Sequence, residues 1–97
     1  MKNIILILLV SSFSFSNNGA SIYKKNCASC HGKHGKKRAI GRSGVIAKQS
    51  SSNTIKQLKA YKAGTLNLHG MGAVMKKNIA NLTNSDIKAV ADYISHL

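Results

Sequence analysis

An all-α fold follows from two features of this 97-residue chain. Apolar residues recur at helical spacing in separate stretches, and no apolar–polar alternation runs long enough to make a strand. A third feature is a core too small for its task. The chain has no tryptophan, three tyrosines and two phenylalanines. An assembly of helices with so few large side chains is expected to wrap something other than its own core.

The first residues stand apart. Met1-Lys2-Asn3 gives a positive start, Ile4 to Val10 is an unbroken apolar run, and Ser11 to Ser16 is polar and small apart from its phenylalanines. This is the layout of a secretory signal peptide, and the apolar run is too short to span a bilayer. Cleavage is expected after Ser16, with Ser14 offering an alternative. Residues 1–16 are thus a leader and 17–97 one domain. The 81 residues that remain are marginal for a core built of side chains alone, which favours a large apolar cofactor at the centre.

Within the domain, Ala20 to Ser29 is predicted as the first helix, with Tyr23, Cys27 and Cys30 at i, i+4 and i+7. A basic, glycine-interrupted stretch from His31 to Lys48 follows as a long loop. Loops of that length are uncommon in small domains unless they wrap something. The second helix is predicted over Thr54 to Lys62. It has cap candidates in Ser50 to Asn53, apolar Ile55, Leu58 and Tyr61 along it, and Gly64 as its stop. Thr65 to Asn81 reads as mostly irregular, with Met71 and Met75 inside it. In the last helix Thr83 caps, Asp86 lies near the positive end of the dipole, and Ile87, Val90, Ala91 and Ile94 form one stripe.

The charge is extreme. Fifteen Lys and Arg against two acidic residues give a formal net charge of +13, or +12 once Lys2 leaves with the leader. Such a balance calls for an anionic partner or surface. Export argues against nucleic acid, which leaves an acidic protein or an anionic membrane face.

The chemistry is concentrated in CASCHGKHG, residues 27–35. Covalent haem attachment accounts for Cys27, Cys30 and His31 together. The two porphyrin vinyl groups lie on neighbouring edges, so thiols about one turn apart can each add across one of them. The residue after the second thiol then offers an imidazole to the iron. A zinc site would need Cys27, Cys30, His31 and His34, four ligands crowded into eight residues, against the tetrahedral requirement. A redox dithiol would want a preceding strand and a βαβ context, which are absent. A plain disulfide leaves the two methionines unexplained. His34 and His96 are expected in solvent, whereas His69 lies in the segment that would supply a sixth iron ligand.

With those residues in place, the chain resembles a small class I c-type cytochrome of the bacterial periplasm. Gly19 and Tyr23 resemble the family's glycine-then-aromatic pair, and Tyr93 the aromatic on the other side of the crossing of first and last helices. Cys27-Ala28-Ser29-Cys30-His31 resembles the attachment motif, and Leu58 to Gly64 the middle helix. Met75 stands seven residues before Leu82, where the family carries its methionine ligand. The resemblance therefore implies three main helices and their loops around one covalent haem c, with His31 and Met75 as axial ligands and Met71 as core filler. Many relatives orient the proximal histidine through the carbonyl of a proline. This chain has none, so another carbonyl within Ala39 to Val45 is expected to serve.

The implied function is one-electron transfer in the periplasm by a monomer, with no substrate chemistry at the metal. Lysines near the haem edge, among Lys33, Lys36, Lys37, Lys76 and Lys77, are expected to steer acidic redox partners. These would be of the kind of a membrane haem–copper oxidase, a reductase or a peroxidase. Two rivals remain at this stage: a haem-based sensor with a labile sixth ligand, and a cationic surface-binding protein with a disulfide.

Overall fold

The computed structural model describes residues 18–41 and 44–97. The leader expected over residues 1–16 lies outside them. Among the described residues there are four helices and no strand, and no helix is long and apolar enough to cross a membrane.

Helix α1 covers residues 18–31. Its middle, Tyr23–Cys27, winds as a π-helix, and the N–H of Ala28 reaches back five residues to the Tyr23 carbonyl. Ala28–His31 is its closing turn, ended by Gly32 at φ 84°. The π segment adds one residue to the turn before the attachment motif. The upper part of α1 crosses the last helix closely. A Cβ on Gly19 would lie 2.4 Å from the Ala89 carbonyl oxygen, so only glycine allows the approach. The Tyr23 and Tyr93 rings pack at 5.5 Å and 44°, as the glycine–aromatic pattern predicts.

Helix α2, Ser51–Ala63, begins at Ser50, whose side chain accepts the Asn53 N–H. It ends at Gly64, left-handed at φ 79°, whose N–H serves the Ala60 and Tyr61 carbonyls. Helix α4, Asn84–Ser95, carries a full capping box. Asp86 N–H donates to Thr83 Oγ1 at 3.1 Å, and Thr83 N–H donates to the Asp86 carboxylate at 2.9 Å. Both ends fall where the cap residues place them. Ile87, Val90, Ala91 and Ile94 are buried along α4, as their stripe requires. They meet Tyr23, Leu58, Tyr61, Ile79 and Leu82 in the core.

The segment from Thr65 to Asn81 departs from expectation. Instead of an irregular loop it contains a helix, α3, Gly72–Ile79. The glycine that reads as a breaker is its first residue. Gly72 N–H is capped by Asn67 Oδ1 at 2.8 Å, and a Cβ there would sit 2.5 Å from the Leu66 carbonyl oxygen. Met71, Met75 and Ile79 recur at i, i+4 and i+8, a helical signal that the nearby glycines obscure.

The long connection after His31 is a loop, as predicted, with a 3₁₀ turn at Ala39–Gly41. It is pinned at several points. Lys37 N–H donates to the His31 carbonyl, Ile46 and Ala47 both donate to the Gly35 carbonyl, and Lys48 donates to the Ile94 carbonyl at the end of α4.

Candidate functional site

Between these elements lies a largely apolar cavity with about 1100 Å³ of atom-free space, its open mouth included. Helix α1 contributes Asn26, Cys27, Cys30 and His31, and the loop contributes Ala39, Val45, Ile46 and Gln49. Helix α2 adds Thr54, Gln57, Leu58 and Tyr61. The far wall is Leu68 and His69 from a 3₁₀ turn, with Met71, Val74, Met75, Asn78 and Ile79 on and before α3. Apolar walls left facing one another without contact forfeit packing, so the fold calls for an apolar occupant.

The two thiols are free and half-buried, and both line this cavity. No disulfide joins them. Burial pushes the Cys27 thiol up to about 11, so it is a neutral thiol at ordinary pH, which does not suit a thiolate-based redox dithiol. Zinc finds no site either: among the described residues no group of three or more His, Cys, Asp or Glu could hold a metal. His34 is exposed and does not line the cavity.

His31 is 7% exposed. Burial lowers its pKa, which keeps the imidazole neutral and its lone pair available for a metal. Its Nδ1 is buried with no hydrogen-bond partner. The carbonyl expected from Ala39 to Val45 is therefore not bonded to it. Without a proline to hold that stretch extended, the chain turns back on itself at Ala39–Gly41, with Gly41 N–H bonded to the Arg38 carbonyl at 3.0 Å.

Met75 lines the facing wall, half-buried, but it is not alone there. Met71 is buried beside it in sequence and also lines the cavity, and so does exposed His69. Among the described residues His69 is one of two non-glycine residues with positive φ, at 58°. Position alone therefore does not choose the sixth ligand. Lys33, Lys36, Lys37, Lys76 and Lys77 are all exposed, and none of them lines the cavity. His96 is exposed at the end of α4, its ring bonded to the Asp92 carbonyl.

Sequence inspection missed one group. Gln49 Nε2 donates to Thr54 Oγ1 at 2.8 Å and to Gln57 Oε1 at 2.9 Å, which makes a polar cluster in an otherwise apolar wall. The signal was available: Thr54, Gln57, Leu58 and Tyr61 share one helical face.

The residues present fit a haem. Two free thiols with two residues between them lie beside a buried imidazole with an unpartnered nitrogen, facing methionine sulfur across apolar walls. Comparison with known proteins agrees. The Cytochrome c family profile matches residues 16–97. The chain is 31% identical over 104 residues to cytochrome c-553 of Nitratidesulfovibrio vulgaris (strain DSM 19637 / Miyazaki F), with all of both chains covered. It is 34% identical over 99 residues to cytochrome c-553 of Helicobacter pylori (strain ATCC 700392 / 26695), covering 100% of this chain and 99% of the other. Its cofactor is covalently attached haem c, and it serves electron transfer rather than enzymatic turnover. On the attachment motif, the cavity behind it and a match across most of its length, the chain belongs to the cytochrome c family.

Proposed function

We propose that the protein is an exported, monomeric one-electron carrier of the periplasm, with His31 and Met75 as the axial ligands of its haem iron. The observation that carries this is that one cavity is lined by Cys27, Cys30 and His31 from α1 and by Met75 from α3. The bound haem supplies one-electron chemistry, its iron alternating between ferric and ferrous. Cys27 and Cys30 tether it. His31, kept neutral by burial, offers a lone pair without first losing a proton. Met75 is preferred to Met71 because it lies seven residues before Leu82, and because buried Met71 serves as packing at the start of α3. A thioether on the iron favours the ferrous form and raises the potential.

The rim supports a docking role. Among the described residues Val45, Leu68 and Val74 are the exposed large apolar side chains, and all three line the cavity. A chain of net charge +13 draws an acidic redox partner toward that rim, such as a membrane haem–copper oxidase, a reductase or a peroxidase. An anionic membrane face would attract it in the same way.

The absorption spectrum tests the ligation. Met75→Ala is expected to abolish the weak sulfur-to-iron band at the red end of the ferric spectrum, and Met71→Ala to keep it. Loss with Met71→Ala instead would move the role there, and a native spectrum lost only with His69→Ala would establish a bis-histidine haem. A reduced spectrum altered by carbon monoxide would replace the carrier with a gas-binding sensor. Haem recovered outside the periplasmic fraction would refute export.

A further inference from the structure

Helix α3 carries Met75 and is eight residues long, too short to hold its shape and place unaided. Met71 before it and Ile79 at its end are buried, but apolar packing is non-directional and leaves a short helix free to slide. Polar side chains supply the direction. Asn67 Oδ1 accepts the Gly72 N–H at 2.8 Å where α3 begins. Lys62 Nζ donates to the Leu82 carbonyl just beyond its end. A third bond comes from α1: Asn26 Nδ2 donates to the Asn78 carbonyl at 3.1 Å, across 52 residues of chain.

Asn26 differs from the other two in where it stands. It lies in the π-wound turn of α1, immediately before Cys27, whereas Asn67 and Lys62 lie on segments that carry no part of the attachment motif. Turns of that kind recur at functional sites, and here both Asn26 and Cys27 reach the cavity wall. The bond ends in the last turn of α3, where carbonyls lack partners from their own helix. Asn78 is three residues beyond Met75, and both line the cavity. One amide thus joins the helix that bears the thiols to the helix that bears the thioether.

We propose that Asn26 is a positioning residue for the sixth ligand: its bond to α3 fixes the distance between the attachment motif and Met75, and so sets how often the thioether leaves the iron. This rests on Met75 being that ligand. An outside ligand such as imidazole reaches ferric iron only while the sulfur is away, so its apparent affinity is the intrinsic one scaled by the open fraction. Losing a hydrogen bond that is made only with α3 seated raises that fraction about 2- to 10-fold.

The test is imidazole binding to the haem-loaded ferric protein, followed by the shift of its Soret band. Asn26→Leu, close in size but without a donor, and Asn26→Ala should both bind imidazole about 2- to 10-fold more tightly than the parent. Both should also weaken the sulfur-to-iron band and lower the potential, since a loosened thioether favours ferrous iron less. Ile87→Val, which removes a methyl group from the buried face of α4, destabilises the fold to a similar degree yet should bind imidazole like the parent. Parental affinity in both Asn26 variants would overturn the proposal. So would a gain in Ile87→Val equal to theirs, since general loosening would then open the site. A sulfur-to-iron band retained in Met75→Ala would overturn the ligand assignment, and the role of Asn26 with it. Unchanged Asn26 variants alongside loss of that band in Met75→Ala would remove the role of Asn26 alone.

Discussion

The two ends of α1 lie in contrasting surroundings. At its start, Gly19 and Tyr23 press against α4 in a dry junction, with Ile87, Val90 and Ala91 fully buried nearby. Tyr23 Oη donates to the Gly32 carbonyl at 2.5 Å. At its finish, Cys27, Cys30 and His31 border a cavity with an unpartnered ring nitrogen and free thiols. The first region satisfies itself, whereas the second is arranged around a large cofactor. In a domain this small the packed crossing is what holds the cavity walls in register, since α2 packs on both α4 and α3.

The sharpest way to break the contrast is to remove the tether. Cys27→Ala with Cys30→Ala should abolish covalent haem, so that acid–acetone extraction releases all of it from the polypeptide, where the parent retains it. The crossing of α1 and α4 makes no use of those thiols, so far-ultraviolet circular dichroism should still report α4.

A second comparison sets a core residue against a rim residue. Ile87, at 0% exposure, truncated to alanine should cost about 2–5 kcal/mol in denaturant unfolding while leaving the ligand bands in place. Val74, at 40% exposure on the cavity rim, truncated to alanine should change stability by about 0.5 kcal/mol or less. Its effect should fall instead on the rate of electron exchange with an acidic partner, read by stopped flow. That rate should itself drop as salt rises. Equal stability losses at the two sites would mean that the rim is as tightly packed as the crossing.

The smallest effect concerns pH. Burial pushes the Tyr23 hydroxyl up to about 12, above its unfolded value of about 10. A group raised in the folded state contributes stability that is complete below the unfolded pKa and is lost as pH climbs through the folded one. Thermal stability should therefore decline between pH 10 and 12, and Tyr23→Phe should flatten that decline. The same substitution should lose about 1 kcal/mol at neutral pH, from the bond to Gly32. An unchanged alkaline limb in Tyr23→Phe would place the titrating group elsewhere.

Much of this molecule was legible in its amino-acid order because the signals are local. A cap side chain acts on a backbone N–H three residues away, so Ser50 and Thr83 mark the starts of α2 and α4, and Gly64 the end of α2. The stripe from Ile87 to Ile94 identifies a buried face by its period alone. The attachment motif is equally local: two thiols and an imidazole within five residues carry their chemistry wherever the chain places them, and Gly19 with Tyr23 and Tyr93 announces a close crossing. Tertiary structure alone decided the rest. Helix α3 forms where glycines argue against it, because Asn67 caps Gly72 and the cavity gives Met71, Met75 and Ile79 a common face. The proximal imidazole lacks the carbonyl expected for it, because the loop after it coils into its own turn. The polar cluster of Gln49, Thr54 and Gln57 reaches the cavity only because folding turns α2 toward the space behind the motif. Each of these depends on which surfaces meet across long separations in the chain, and that is settled by packing, which no local spacing encodes.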